Sequence, residues 1–241
     1  MQPAAMRGVM AFAPEEPEIQ PVESIPLRQH VYKRIEEMIV KGQAKPGDRL
    51  PEAELAKILS VSRGPVREAL QLLERDGWVE VRPRHGAVVR RRTTREIEDL
   101  LEVRRVLEVH AARLAAKNED KEGRARLKRL LAASDRAARQ KDIERLLAAN
   151  QAVHDAFPEL CGNAALVEIV HSLGRRLRWY TKRPSIGDRA HAVLEEHRAI
   201  AQAIFDRSPD DAARAMNEHI LGDWKSYKPT IAANFDADDF L

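Results

Sequence analysis

Two helical hydrophobic patterns lie only three residues apart in the first third of the chain, and few folds accept that spacing. Over 52–59, Leu55, Ile58 and Leu59 share one side; over 63–75, Val66, Ala69, Leu70 and Leu73 do the same. Ser60-Val61-Ser62 joins them, with Ser62 suited to cap the second helix and Gly77 suited to close it in left-handed backbone. A third pattern precedes the pair, with Leu27, Val31, Ile35, Met38 and Ile39 at helical spacing up to Gly42, followed by the turn Pro46-Gly47-Asp48. After Gly77, the β-rich runs 78–82 and 87–91 flank Pro83-Arg84-His85-Gly86, which reads as a hairpin. Helix, helix–turn–helix, hairpin is the order of a winged helix, placed at 25–92.

Charge separates along the same boundary. Residues 25–92 hold 15 Lys and Arg against nine Asp and Glu, whereas 93–241 hold 25 of each, so the net charge of +3 conceals one basic segment. That segment calls for a polyanionic partner. Within the helix from Arg63, the apolar set faces back while Arg63, Gly64, Arg67 and Gln71 face out, the division a major-groove helix needs. Gly64 lets backbone approach phosphate, and the helix N-terminus favours an anion. Arg84 and His85, beside Gly86 at the hairpin tip, are placed to reach a neighbouring groove or phosphate. Arg63, Gly64, Arg67, Gln71, Arg84 and His85 are therefore the candidate DNA contacts that the pattern itself offers, and two-fold operators imply a homodimer on palindromic double-stranded DNA.

Beyond Arg90-Arg91-Arg92 the chain turns to Ala, Leu, Arg and Glu in helical periods with no strand signal. Six helices are expected, at 94–117, 122–140, 142–160, 163–182, 187–206 and 209–226, forming an antiparallel bundle over 93–230. The fold class is thus mainly α. Residues 1–24, with four prolines and scattered acids, read as a disordered tail, and 231–241 as an acidic C-terminal tail. Cys161 is the single cysteine, which excludes an internal disulfide, and no apolar run reaches the ~18 residues of a membrane span. A reduced cytoplasm is the expected setting.

The bundle carries a chemical anomaly. Ile143, Leu147, Asn150, His154 and Phe157 form one stripe; Val193, His197, Ile200 and Ile204 a second; Ala212, Met216, His219 and Asp223 a third. Each of three helices thus turns one imidazole inward, with Asn150 one turn before His154. A single buried histidine is ordinarily a hydrogen-bonded core residue. Three together each need a buried partner, and one divalent cation with N and O ligands satisfies them at once. His30 reads as surface, His171 as lying beside its helix's stripe, and His110 as packing on a buried flank. Arg104 shares a stripe with Ile97, Leu101, Leu107 and Ala111. Its charge is met either by Glu108, one turn on, or by an anionic ligand gripped by its guanidinium.

Residues 27–90 resemble the DNA-binding domain of the GntR family of bacterial transcription regulators. The resemblance lies in Pro46-Gly47-Asp48-Arg49-Leu50, Glu54-Leu55-Ala56, Val61-Ser62-Arg63-Gly64-Pro65-Val66-Arg67-Glu68-Ala69-Leu70 and Asp76-Gly77-Trp78. It implies operator contacts at Ser62, Arg63, Gly64, Arg67, His85 and Gly86; Ala53 and Gly64 stand where many members carry polar side chains. The second part is similar to the FCD ligand-binding domain of the FadR-type branch, in its six-helix, VanR-like form. It shares Glu102-Val103-Arg104 through Leu107-Glu108, Asn150 with His154, Gly162-Asn163, Glu196-His197 and His219. This resemblance implies dimerisation through the helical domain and one divalent ion per chain on Asn150, His154, His197 and His219. Zinc comes first, with nickel, manganese or iron as alternatives. It further implies a small carboxylate effector beside the ion, for which Arg104 is the candidate clamp. Many members carry Asp at the position of Asn150 and Phe at that of Val153. The expected function is a ligand-responsive repressor. Its rivals are the same protein with a purely structural metal, and a three-histidine metalloenzyme, against which stands the lack of a His-Glu-x-x-His signature and of a nucleophile–base pair.

Overall fold

The computed structural model describes residues 26–82, 86–181 and 186–235. The expected tails at 1–24 and from 236 onward lie outside them, as do Arg84 and His85. The first part contains α1 (Leu27–Val40), β1 (Arg49–Leu50), α2 (Glu52–Leu59), α3 (Arg63–Arg75), β2 (Val79–Arg82) and β3 (Gly86–Val89). The expected hairpin forms, with Val79 opposite Val89 and Arg82 opposite Gly86. A strand that periodicity cannot reveal joins it: β1, two residues long, pairs antiparallel with β3 to give the order β1-β3-β2.

The buried side of α3 is Val66, Ala69, Leu70 and Leu73, the set expected from spacing. It packs with Val31, Ile35 and Ile39 of α1, Leu55 of α2, Trp78 and the inner face of the sheet in one core. Ile58 departs from expectation. It is 64% exposed, and Ala56 is buried beside Leu55 in its place. Ser62 occupies the N-cap position of α3 but makes no side-chain cap bond. Gly77 does turn left-handed, at φ +74°.

Six helices follow: α4 (Thr94–Lys117), α5 (Lys121–Arg139), α6 (Ile143–Glu159), α7 (Ala164–Thr181), α8 (Ile186–Phe205) and α9 (Pro209–Phe235). The first begins with a reciprocal cap: the Glu96 amide donates to Thr93 Oγ1 at 3.2 Å and the Thr93 amide to Glu96 at 3.0 Å. Helix α9 runs through Pro229 to Phe235, past the expected end at 226 and past the 230/231 tail boundary. Ile231 explains the continuation, being 1% exposed against Ile97, Leu101 and Leu177. Phe157, Ile200, Ile204 and Met216 fill the centre of the bundle. Among the described residues no helix is long and apolar enough to cross a membrane.

The two parts touch through α7. Arg175 Nε donates to Glu36 of α1 at 2.9 Å, and the Tyr180 hydroxyl donates to the carbonyl of Arg90 at 3.2 Å. Arg92, 8% exposed, donates to the carbonyl of Gly77 at 2.8 Å, fastening the linker to the end of the reading helix.

Candidate DNA-reading face and metal centre

On α3, Ser62, Arg63, Gly64, Arg67 and Gln71 are all exposed, one continuous polar face above the buried stripe. A Cβ built on Gly64 meets nothing within 4 Å, so the surface there is open backbone. Gly86 begins β3 at φ +73°, a left-handed conformation that favours glycine at the hairpin's descending arm. Arg67 carries a feature that its helix does not reveal. Its Nε and Nη2 bond the two carboxylate oxygens of Glu52, at 3.0 and 2.8 Å. Glu52 lies fifteen positions earlier on another helix, so only the crossing of α2 and α3 brings the pair together.

In the bundle, α6, α8 and α9 bring His154, His197 and His219 into one cluster. His154 Nε2 lies 3.3 Å from Nε2 of His197 and 3.3 Å from Nε2 of His219, and one ligand atom from each residue lies within 4.8 Å of the others. His197 and His219 are fully buried. Burial, with His219 adding to it, holds the His197 pKa well below its ordinary 6.5, so that ring is neutral with a lone pair to offer. His219 Nδ1 lies 2.7 Å from Glu196 Oε2, a contact that fits an Nδ1–H donor and turns Nε2 of that ring into the cluster. A neutral His154 ring brings at most one proton to its Nε2, enough for one of these two contacts at a time. Asn150 Oδ1, one turn before His154, is likewise buried with no hydrogen-bond partner in the protein. Two ligands ~2.0–2.1 Å from a tetrahedral cation stand ~3.3 Å apart, which matches the Nε2 separations of His154 from His197 and from His219. The residues therefore fit a divalent ion: the three histidines could hold one.

The carboxylates beyond the cluster are fixed by an arginine that the sequence did not single out. Arg189 Nη2 reaches both oxygens of Glu196, at 2.9 and 3.1 Å, and Nε reaches Asp223 at 3.3 Å. Gly222 permits this, since a Cβ there would come within 2.5 Å of the guanidinium. Asp223 Oδ2 in turn stands 3.7 Å from His219 Nε2. The spacing of Arg189 and Glu196, two helical turns, was the available signal. Arg104 is paired with Glu108 through Nε at 2.5 Å, with 16% and 7% of the two side chains exposed. Burial works against the arginine's charge, but Glu108 outweighs it and Asp223 and Tyr227 add to the attraction, so the guanidinium stays firmly protonated. The internal partner expected as one alternative for Arg104 is thus present, and the field of Asp223 ties Arg104 to the same end of the bundle as the histidines.

Three expectations fail at the edges of the site. Ile143 is 62% and Leu147 37% exposed, so the N-terminal half of their stripe does not face inward. Leu146 packs instead on Ala137 and Leu194, and the buried face of α6 continues through Val153, Ala156 and Phe157. His110 is exposed on the outer side of α4 rather than packed. His171, half-buried, places Nε2 3.2 Å from the carbonyl of Asp155.

With this geometry established, comparison with known proteins gives a consistent result. Residues 27–89 match the model described as bacterial regulatory proteins, gntR family, and residues 99–222 match the FCD domain. The chain is 31% identical over 189 residues to the Nta operon transcriptional regulator of Aminobacter aminovorans, covering 76% of this chain and 86% of that one. It is 28% identical over 203 residues to the HTH-type transcriptional regulator YdhC of Bacillus subtilis (strain 168), covering 83% and 90%. Its fold is shared with Escherichia coli McbR/YncC, with a TM-score of 0.73 at 22% identity over 86% of this chain and 99% of that one. The Aminobacter aminovorans and Bacillus subtilis relatives are transcriptional regulators, and the metalloenzyme reading gives way to them. The reading head and the histidine-bearing bundle are the two halves of one architecture: the chain belongs to the GntR family of DNA-binding transcriptional regulators and carries an FCD domain behind its winged helix.

Proposed function

We propose that this regulator is a metal-loaded, ligand-responsive repressor that binds a palindromic operator as a homodimer. Residues 25–92 form its reading unit and 93–230 its sensing unit. The observation that carries the proposal is the convergence of three Nε2 atoms, with a buried, unpartnered Oδ1 on Asn150, one helical turn before His154. His154, His197, His219 and Asn150 hold a divalent ion, zinc first and nickel, manganese or iron next. Held there, a divalent ion would supply a Lewis acid for an oxygen ligand, which would suit a small carboxylate effector. Arg104 supplies paired donors for the far side of that anion. The dimer forms through α4 and α7, where Val103, Val106 and Ile169 are half or more exposed on packed helices. Ser62, Arg63, Gly64 and Arg67 contact the operator, together with Arg84, His85 and Gly86.

A second reading keeps the ion purely structural. The Glu108 partner of Arg104 favours it, because that guanidinium already has its counter-charge. One experiment separates them. Purified full-length protein is assayed for metal, used to select duplexes from a randomised pool, and titrated with small carboxylic acids. The expected result is about one ion per chain and at least one acid that shifts operator affinity ~5–150-fold in the metal-loaded protein alone. Metal without any acid response supports the structural reading; protein that neither holds nor gains a divalent ion overturns both.

A further inference from the structure

The guanidinium of Arg67 is already engaged on the reading face. Nε and Nη2 donate to the two oxygens of Glu52, at 3.0 and 2.8 Å, across the gap between the first turn of α2 and the outer side of α3. That side-on fork uses two of the five N–H donors and leaves the end-on pair, one hydrogen each on Nη1 and Nη2, complete. An end-on pair is the geometry that matches O6 and N7 of guanine in the major groove. The Arg67 hydrogen bond is the main cause that lowers the Glu52 pKa, with Arg63 adding its field, so the acceptor is a carboxylate. The two side chains are 65% and 34% exposed, a level at which an ion pair adds little to stability. What it changes is where the arginine points and how much of its charge a phosphate can use.

We propose that Glu52 is a specificity-determining residue, holding Arg67 end-on for a guanine and making it a poor partner for backbone phosphate. The proposal rests on Arg67 belonging to the DNA interface. Without its partner, an exposed arginine on four rotatable bonds reaches whichever phosphate lies nearest, and phosphate contacts carry no sequence information. With Glu52 in place, two donors are committed and the carboxylate repels an approaching phosphate. The outward pair then gains only where a base edge supplies two acceptors. Glu52 thus exchanges sequence-independent affinity for discrimination at one base pair in each half-site.

The test uses full-length protein as wild type, Glu52→Gln and Arg67→Ala, each selected against a randomised double-stranded DNA pool. Affinities for the best selected duplex and for a scrambled duplex are then measured over a salt series. The expected wild-type pool carries an enriched guanine at one fixed position per half-site. In Glu52→Gln that guanine loses enrichment, and the ratio of selected to scrambled affinity falls about tenfold. Binding of scrambled duplex meanwhile tightens and its logarithmic salt slope steepens by about one. Arg67→Ala loses the same guanine but binds scrambled duplex more weakly, the opposite direction. Unchanged base preference in Glu52→Gln, with a loss in Arg67→Ala, overturns the proposal and leaves the role of Arg67 standing. No effect in either variant removes Arg67 from the interface and the proposal with it. If the Gln side chain lowers the melting temperature, Glu52→Asp serves instead: it keeps the charge but is too short for the fork, so it loses the guanine preference while the fold is retained. A retained preference in that variant also overturns the proposal.

Discussion

Removing the ion should cost the sensing unit a large part of its stability, and the histidine geometry sets the size of the loss. In the metal-free protein His154 Nε2 shares its contacts between two other ring nitrogens at 3.3 Å, and Asn150 Oδ1 is buried without a partner, so Asn150 Oδ1 does not repay its desolvation. A cation bound to the folded state alone adds RT ln(1 + [L]/Kd), which is about 4 kcal/mol at a free concentration a thousand times Kd. For a unit of this size one kcal/mol moves the midpoint by about 3 °C, so chelation should lower it by about 12 °C. The assay is differential scanning calorimetry with and without chelator, alongside elemental analysis. His154→Leu supplies the control. It removes the ring nitrogen shared by both short contacts and replaces it with an apolar side chain of similar bulk. The chelator response should then vanish, while the metal-free protein loses no more than about 3 kcal/mol, the cost of leaving Nε2 of His197 and of His219 buried without their His154 contact. A chelator shift that survives in His154→Leu, or metal-free His154→Leu melting far below metal-free wild type, would refute the reasoning, because the rings would then be holding one another.

Three further outcomes follow from other contacts. Glu108→Ala leaves Arg104 buried without its counter-charge and should destabilise the bundle by about 3 kcal/mol, read by chemical denaturation, whereas Arg104→Met with Glu108→Leu should be close to neutral. The metal-free protein should lose stability in mild acid. Burial holds the His197 pKa below 6.5 in the folded state, so below about pH 6.5 the unfolded chain binds more protons. Stability then falls with pH by up to about 1.4 kcal/mol per unit until the folded-state pKa is reached; above pH 7 this group contributes no slope. A flat profile between pH 5 and 6.5 would count against a buried neutral ring. Finally, Arg175→Ala should change overall stability by less than about 1 kcal/mol, its side chain being 40% exposed. It should nevertheless speed amide hydrogen exchange in α1 relative to α3, because Glu36 loses its tie to the bundle.

Much of the fold was legible where a single helix settles the question. The buried set of α3 follows from spacing alone, since a short amphipathic helix over a small core has one apolar face to hide. The same rule misplaced Ile58, Ile143, Leu147 and His110. Periodicity names a stripe, but the neighbour that packs on it decides which flank is dry. At α6, Leu146 took the contact with α5 and α8 and turned Ile143 to water. Helix α9 outran its expected end because Ile231 found a cavity between α4 and α7, a reward no local pattern near Pro229 announces.

The identities of the chemical groups, and their assignment to faces, came from the residues themselves: outward arginines on the second helix of the pair, inward imidazoles on three helices, basic charge confined to one segment. Spacing along a helix is a local geometric fact, so these needed no coordinates. Tertiary packing decided which groups meet. It laid α2 against α3 so that Glu52 faces Arg67, and brought Nε2 atoms from α6, α8 and α9 within hydrogen-bonding range. It also set Arg189 over Gly222 to reach Glu196 and Asp223. Each of these depends on a crossing between helices, and crossings are fixed by how side-chain ridges from distant parts of the chain interlock.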